Sequence, residues 1–218
     1  MRSAHAVSLG AVLANAQTSG VHLAHASGWI VFVTGAVNGV LAYHEGHGTP
    51  LERLTFSFVL SQRQSGGVGG NFFTPVRVHL PIAPLSPAER LVAVRDAMAA
   101  RRTTMQAGGS LASLSGLAGL VQAIPPSVLG QVTRSQVAGV AFATSNLRGA
   151  PFPLYVGGAR VLHNSALGPL TGTPFNLTTL SYDGSLDMGL LVDSAAISDP
   201  GHLRACLAEA YADLIRVA

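Results

Sequence analysis

Residues Phe175–Asp193, with the sequence FNLTTLSYDGSLDMGLLVD, contain two strand-like runs on either side of Asp183-Gly184. An Asp-Gly pair between such runs is the strongest short-range signal of a β-hairpin, because both residues accept the positive φ angles of a tight turn. Alternate positions of the second run are apolar, at Leu186, Met188, Leu190 and Val192. This period of two is typical of a strand with one buried face, so the segment predicts a hairpin within a β-sheet.

The segments next to this hairpin extend the pattern. On its C-terminal side, Asp199-Pro200 is a helix start that is followed by an apolar stripe at helical spacing. On its N-terminal side, the uninterrupted apolar run Val137–Ala143 predicts a central strand buried on both faces. The polar residues Thr144–Gly149 then predict a loop.

Strands and helices continue to alternate further upstream. Residues 55–61 and 76–80 have the strand period. Ser86-Pro87-Ala88-Glu89 has the residues of a capping box with proline in the first turn, which predicts the start of a helix. The expected fold is therefore α/β, a mixed β-sheet flanked by helices over residues 55–218, preceded by an apolar helical segment, residues 1–54.

Two features of the first 54 residues have alternative interpretations. Ala14-Asn15-Ala16 has the small-x-small form of a signal-peptidase site, but the run before it is weakly hydrophobic, which favours a helix of small residues. Ala26–Tyr43 has no formal charge, but Asn38 and glycines interrupt it and no Arg flanks it. A buried helix is therefore favoured over a membrane-spanning one.

The composition excludes several classes of protein. Hydrophobic residues make up 48% of the chain and charged residues 11%, which excludes general disorder. All 13 basic residues are Arg, and they form no dense basic stripe, which argues against nucleic-acid binding. The single cysteine, Cys206, excludes a disulfide framework within the chain. Residues 3–44 and 103–133 contain no charged side chain, which indicates burial or contact with an apolar partner such as lipid.

The common catalytic and metal-binding motifs are missing. His44 and His47 are three residues apart, whereas the zincin motif places its two His four apart on a helix. The chain has no Lys for a phosphate-binding loop and no Gly-x-Ser-x-Gly sequence. The residues therefore predict no metal site, no bound cofactor and no catalytic residue on this chain.

Short motifs in a fixed order nevertheless resemble one family. They are Ser61-x-Arg63, Gly70-Asn71, Pro87-x-Glu89-Arg90-Leu91, TSNLRGAPFPLYVGGARV (Thr144–Val161), LGPLTG (Leu167–Gly172) and the hairpin segment quoted above. In this order they resemble the C-terminal half of bacterial wax ester synthase/diacylglycerol acyltransferases, over roughly residues 55–218.

The resemblance implies one lobe of the fold of chloramphenicol acetyltransferase and condensation domains. It implies an O-acyltransferase that transfers an acyl group from CoA to a long-chain alcohol or diacylglycerol, in wax ester or triacylglycerol synthesis. The general base of that family is a His of the motif HHxxxDG in the N-terminal lobe, and this chain has no two adjacent His. We therefore expect the chain to be inactive alone, and whether it is an enzyme by itself stays open.

The resemblance also assigns candidate site residues. Ser145, Asn146 and Gly149 match the family loop near the reaction centre, and Asn146 is expected to orient a loop or to donate to the thioester oxygen. The matches at Asp183-Gly184, Arg63 and Asn71 are structural, and Asp187 is expected to pair with an Arg.

Three functions remain open from the sequence. The chain is a C-terminal acyltransferase lobe that works with a complementary N-terminal lobe, or a non-catalytic lipid-binding protein derived from that lobe, or an interaction module that self-associates. The expected partners are acyl-CoA or another lipid, and not nucleic acid. The expected location is the cytoplasm, with peripheral contact to the inner face of the membrane.

Overall fold

The computed structural model describes residues 3–8, 28–61, 73–107, 139–170 and 172–216. Within these ranges the strands and helices are β1 (Ser3–Ser8), α1 (Gly28–Gly46), β2 (Arg53–Ser61), β3 (Phe73–Pro81), α2 (Pro87–Ala107), β4 (Phe142–Arg148), β5 (Tyr155–Val156), β6 (Ala159–Arg160), β7 (Phe175–Tyr182), β8 (Ser185–Val192) and α3 (Pro200–Arg216).

Six of the strands form one mixed sheet in the order β1-β8-β7-β4-β2-β3. The central strand β4 is parallel to both of its neighbours, β2 and β7. The remaining pairs are antiparallel, and β5 pairs with β6 in a separate two-stranded ribbon. This arrangement is the mixed sheet that the sequence predicts.

The hairpin between β7 and β8 is confirmed. Tyr182 lies opposite Ser185, so Asp183 and Gly184 form a two-residue turn. Their φ angles are 45° and 77°, both in the left-handed region that a type I′ turn requires. Arg160 also donates from Nη2 to the Asp183 carboxylate at 2.9 Å. The turn residues therefore fix the register of the two strands.

The helices pack on one face of the sheet. Alternate residues of the strands, such as Phe56, Phe142 and Leu190, share a buried cluster with residues of all three helices. The predicted burial of the helix near Ala26–Tyr43 is confirmed by α1, whose residues from Ile30 to Val37 are all buried. Within the described residues, no helix is long and apolar enough to cross a membrane.

The central strand begins later than we predicted. We expected a strand at Val137–Ala143 and a loop at Thr144–Gly149, whereas β4 is Phe142–Arg148. Gly139 lies in a turn with a φ angle of 74°, so the chain enters the strand only after this residue. The polar residues of β4 continue the strand because β7 satisfies them. The Thr144 hydroxyl, for example, donates to the Leu177 carbonyl at 2.8 Å.

The N-terminal residues also differ from the expectation of helical structure. Ser3–Ser8 form an edge strand that pairs with β8, with Ser3 opposite Val192. The alternation of Ala, His, Val and Ser in this strand is too weakly apolar to predict it. The motif Ala14–Ala16 lies outside the described residues, and the division of the chain at residues 54 and 55 stays a prediction.

Arg90 is buried in α2 without a full set of hydrogen-bond acceptors. Its Nη2 donates to the Ala83 carbonyl at 2.7 Å, but within the described ranges Nε and Nη1 have no partner. Burial lowers the pKa of Arg90, and the nearby Glu45 opposes this effect. A buried donor without an acceptor costs about 1–3 kcal/mol.

We therefore expect Arg90→Met to leave the free energy of unfolding unchanged or to raise it by up to about 1 kcal/mol. Methionine keeps the unbranched stem and removes the unmatched donors, at the loss of one hydrogen bond to Ala83. Urea unfolding of the two proteins measures the difference. A loss of more than about 2 kcal/mol would show that Arg90 has a stabilising partner in solution.

Candidate functional site

The carboxyl ends of β2 and β4 form the candidate site. The two parallel strands pair only from Phe56 to Phe58 and from Phe142 to Thr144. The chain continues from β2 to β3 at one edge of the sheet, whereas β4 pairs on its other side with β7. Such a reversal of strand order is a topological switch point, where ligands of α/β proteins bind beyond the carboxyl ends of the strands. The residues that follow Thr144 therefore lie at the edge where such folds are expected to bind ligands, and we call the surface beyond the carboxyl ends of β2 and β4 the crevice.

Asn146 lies at this crevice with its side chain exposed. Its Oδ1 accepts a hydrogen bond from the hydroxyl of Thr179 at 3.0 Å. Thr179 lies opposite Asn146 in register and is 1% exposed. Because Oδ1 is already occupied, Nδ2 is the group of this side chain that is available to donate to a ligand.

Ser145 points to the opposite face of the sheet. Successive residues of a strand alternate between faces, and Asn146 is on the face of the buried cluster, since its partner Thr179 lies opposite Met188 of that cluster. The Ser145 hydroxyl contacts the Thr178 hydroxyl at 3.1 Å. Thr178 donates its own hydrogen to Oδ1 of Asn176 at 2.7 Å, so Ser145 donates to Thr178. The structure therefore separates Ser145 from Asn146.

Gly149 has a structural reason to be glycine. Its N–H donates to the Ser181 carbonyl at 2.9 Å. A Cβ atom at this position would lie 2.4 Å from the same oxygen, so a side chain would push the backbone away from β7. Arg63 and Asn71 lie outside the described residues, and their predicted roles stay predictions.

Beyond β6, a covering segment (Val161–Leu170) crosses the face of the sheet that the helices leave open. A Cβ atom on Gly189 would lie 2.0 Å from the Ala166 carbonyl oxygen, so glycine lets the segment rest on β8. Nδ2 of Asn176 donates to the Pro169 carbonyl at 3.0 Å, and the Tyr182 hydroxyl donates to the Val161 carbonyl at 2.9 Å. Polar groups of the sheet therefore hold both ends of the covering segment.

Asp187 anchors the middle of the covering segment. Its carboxylate is fully buried and accepts a hydrogen bond from the backbone N–H of Asn164 at 2.6 Å. Nδ1 of His163 lies 3.3 Å from the other carboxylate oxygen. His163 is a neighbour of Asp187 that the sequence motifs did not indicate. The expected pairing of Asp187 with an Arg stays a prediction.

We expect Asp187→Ala to lower the free energy of unfolding by about 1–3 kcal/mol, because the Asn164 N–H loses its acceptor. The covering segment should also become more susceptible to proteolysis. Asp213→Ala is the matched control, since Asp213 pairs with Arg216 at an exposed position, and it should change stability by less than about 0.5 kcal/mol. Equal stability and equal cleavage of the two variants would contradict the anchoring role.

The end of β4 and the chain between β4 and β7 expose large apolar side chains. We define the apolar flank as these residues, which are between 36% and 72% exposed: Leu147, Phe152, Leu154, Tyr155, Val156, Leu162 and Leu167. The Tyr182 hydroxyl holds the flank together, because it accepts from the Leu154 N–H at 2.8 Å while it donates to Val161. Large exposed apolar side chains concentrated in one segment of the chain indicate a site of interaction with protein or lipid.

The histidines at the end of α1 form a second polar group. The rings of His47 and His202 are 5.4 Å apart, and Nδ1 of His47 lies 2.8 Å from the Tyr43 carbonyl oxygen. Burial lowers the pKa of His44. Among the described residues, however, no three His, Cys, Asp or Glu side chains surround a point where a metal ion could bind. Cys206 is buried in the core cluster, as expected of a small hydrophobic residue.

Comparison with known proteins identifies the family. The sequence model described as WS/DGAT C-terminal domain matches residues 69–215. The chain belongs to this family. Two strains of Mycobacterium tuberculosis contain relatives named as a diacylglycerol O-acyltransferase, which are 27% identical over 190 residues. The alignment covers 86% of this chain but only 37% of each relative.

Solved structures agree on the fold. The wax ester synthase/diacylglycerol acyltransferase of Marinobacter aquaeolei VT8 superposes with a TM-score of 0.62 at 16% identity, over 98% of this chain and 48% of that protein. The first condensation domain of the CDA synthetase superposes with a TM-score of 0.54 at 16% identity, over 98% of this chain and 46% of that one. This WS/DGAT C-terminal domain therefore spans less than half the length of these proteins.

Proposed function

We propose that the chain is the C-terminal lobe of an acyl-CoA-dependent O-acyltransferase that forms wax esters or triacylglycerols. The observation that carries this proposal is the position of Asn146, whose amide is exposed at the switch-point crevice where the apolar flank begins. Membership of the WS/DGAT C-terminal domain family supports an acyltransferase role for that crevice. The apolar flank would then pack against the N-terminal lobe.

In this proposal the two lobes divide the chemistry. A His of the N-terminal lobe accepts the proton of the alcohol, and the alcohol oxygen attacks the thioester carbonyl. Negative charge develops on the carbonyl oxygen, and the Asn146 Nδ2–H group donates to it. The C–S bond then breaks, and the CoA thiolate takes the proton from the imidazolium. The motif HHxxxDG is absent from this chain, so this chain alone would not catalyse the reaction.

A reconstitution experiment tests the division of labour. The chain is assayed with radiolabelled long-chain acyl-CoA and hexadecanol or diacylglycerol, alone and with the N-terminal lobe of the Mycobacterium tuberculosis relative. We expect ester only from the mixture. Efficient ester formation by the chain alone would contradict the absence of a base on this lobe.

A binding experiment tests the site on this chain directly. Long-chain acyl-CoA is titrated into the ¹⁵N-labelled chain, and the side-chain amide signals of Asn146 are followed by NMR, with assignment from Asn146→Asp. We expect these signals to shift with acyl-CoA. Shifts confined to residues of α1, α2 and α3, with none at Asn146, would place acyl-CoA away from the crevice and contradict the proposed site.

The alternative is a non-catalytic lipid-binding or self-associating protein, favoured by the same apolar flank. We place the protein in the cytoplasm with peripheral contact to the membrane, where its lipid substrates are found. Flotation with liposomes distinguishes these possibilities. A lipid-binding protein would float with liposomes in the absence of acyl-CoA. If the chain is instead one lobe of a transferase, the N-terminal lobe would cover the apolar flank, and the assembled protein would bind liposomes more weakly than the chain alone.

A further inference from the structure

Thr179 is a buried hydroxyl on the face of the sheet that packs against the helices. It is 1% exposed, and its neighbours in register are Asn146 on β4 and Met188 on β8. A buried hydroxyl costs free energy unless it is hydrogen-bonded. Thr179 donates its hydrogen to Oδ1 of Asn146 at 3.0 Å and, as a weaker second contact, to the Ser145 carbonyl at 3.3 Å.

This hydrogen bond distinguishes the two ends of the Asn146 amide. The terminal torsion of an Asn side chain is broad, and a 180° rotation exchanges its oxygen and nitrogen at almost the same shape. A hydroxyl that donates to one end favours the orientation with the oxygen toward the sheet, because the NH₂ end cannot accept it. After the rotation the Thr179 hydroxyl would accept from the NH₂ group, and its hydrogen would keep only the 3.3 Å contact with the Ser145 carbonyl in place of the 3.0 Å bond to Oδ1.

We propose that Thr179 is a positioning residue that holds the Asn146 amide with its NH₂ group available to the crevice. The catalytic role of this amide rests on the proposed function, whereas its orientation depends only on residues of this chain. The hydrogen bond gives Thr179 a role that none of the sequence motifs indicated, and it makes the donor of the crevice depend on a side chain of the next strand.

Thr178 provides a matched control on the adjacent position. It is also 1% exposed, and its hydroxyl also donates to an Asn oxygen, that of Asn176 at 2.7 Å. This bond lies on the opposite face, toward the covering segment. Thr178→Val therefore removes an equally buried hydroxyl without touching Asn146.

The test is the side-chain mobility of Asn146 in the ¹⁵N-labelled chain without ligand. Thr179→Val has nearly the same shape and lacks the hydroxyl. We expect the order parameter of the Asn146 amide to fall below about 0.6 in this variant, the range of flexible groups. Thr179→Ser keeps the hydroxyl and should restore the wild-type value, and Thr178→Val should leave it unchanged.

Two results would overturn the proposal. One is an Asn146 amide that is as ordered in Thr179→Val as in the wild type, in a protein whose backbone spectrum is unchanged. The other is an equal loss of order in Thr178→Val, which would indicate general loosening of the sheet. If Thr179→Val does not fold, Thr179→Ala and Thr179→Ser form the comparison.

The assay with both lobes connects the orientation to catalysis. Thr179→Val should lower kcat between about 10-fold and 100-fold with little change in KM. The reason is that a misplaced Asn146 amide loses a hydrogen bond that forms mainly in the transition state. If acyl-CoA does not bind at the crevice while Thr179 still orders Asn146, the proposed function fails and the positioning role stands. Unchanged kcat with a disordered amide would show that Asn146 is not the donor.

Discussion

Replacing Asn146 by alanine is expected to lower kcat of the assembled two-lobe transferase by about 100-fold to 1,000-fold. The exposed Nδ2–H group is the donor that the crevice offers to the developing negative charge, because Oδ1 is occupied by Thr179. Loss of one such donor costs about 2.7–4 kcal/mol of transition-state stabilisation in well-studied hydrolases. Steady-state kinetics with saturating acyl-CoA measures the effect.

Controls separate this effect from a loss of structure. Asn146 is exposed at the end of β4, and in its alanine variant the Thr179 hydroxyl keeps the Ser145 carbonyl as an acceptor, so the variant should unfold within about 1 kcal/mol of the wild type. Asn38→Ala should retain full activity, because Asn38 lines a groove between the helices with Pro87 and Cys206, to which β4 contributes no residue. If Asn146→Ala keeps more than about a third of the activity, the crevice uses another donor.

Replacing Gly35 by alanine is expected to lower the free energy of unfolding by about 3 kcal/mol or more. A Cβ atom on Gly35 would lie 2.2 Å and 2.3 Å from two ring carbons of Tyr211 on α3. This ring has no room to move, because its hydroxyl donates to the Phe32 carbonyl at 2.8 Å and its face stacks on Phe32. The two helices must therefore separate to admit one methyl group.

Thermal unfolding measures this change, with an expected decrease in Tm of about 6–12 °C for a chain of this size. Gly28→Ala is the matched control, because no atom lies within 4 Å of a Cβ on Gly28. That variant should unfold within about 2 °C of the wild type. Equal Tm values for the two variants would show that α1 and α3 are packed less closely than described.

The sequence predicted best the features that depend on neighbouring residues. The Asp183-Gly184 turn requires two positive φ angles, which the residue types themselves indicate. The start of α2 was predicted for a similar reason. The Ser86 N–H donates to the Glu89 carboxylate at 2.8 Å, and the Glu89 N–H donates to the Ser86 hydroxyl oxygen at 3.3 Å, as a capping box requires.

Features that depend on distant residues were predicted poorly. β4 was placed too early because its polar residues pair with β7, about 33 residues away in sequence, and hydroxyl contacts replace the apolar pattern of a central strand. The contact of His163 with Asp187 was missed because the two residues are 24 positions apart in the sequence. The separation of Ser145 from Asn146 was not predicted for the same reason. We treated both as loop residues, and only a strand places successive side chains on opposite faces.

The parallel pairing of β4 has a consequence for how the chain folds. The antiparallel pairs β2–β3 and β7–β8 close short loops and can form early. β4 can join them only after two longer loops have closed, one of which contains all of α2. Contacts of high sequence separation slow folding, so insertion of β4 between the two preformed hairpins should limit the folding rate. Destabilising substitutions in β4 should therefore slow this rate-limiting step of refolding. Substitutions in the β7–β8 turn should instead affect formation of the hairpin, which precedes that step.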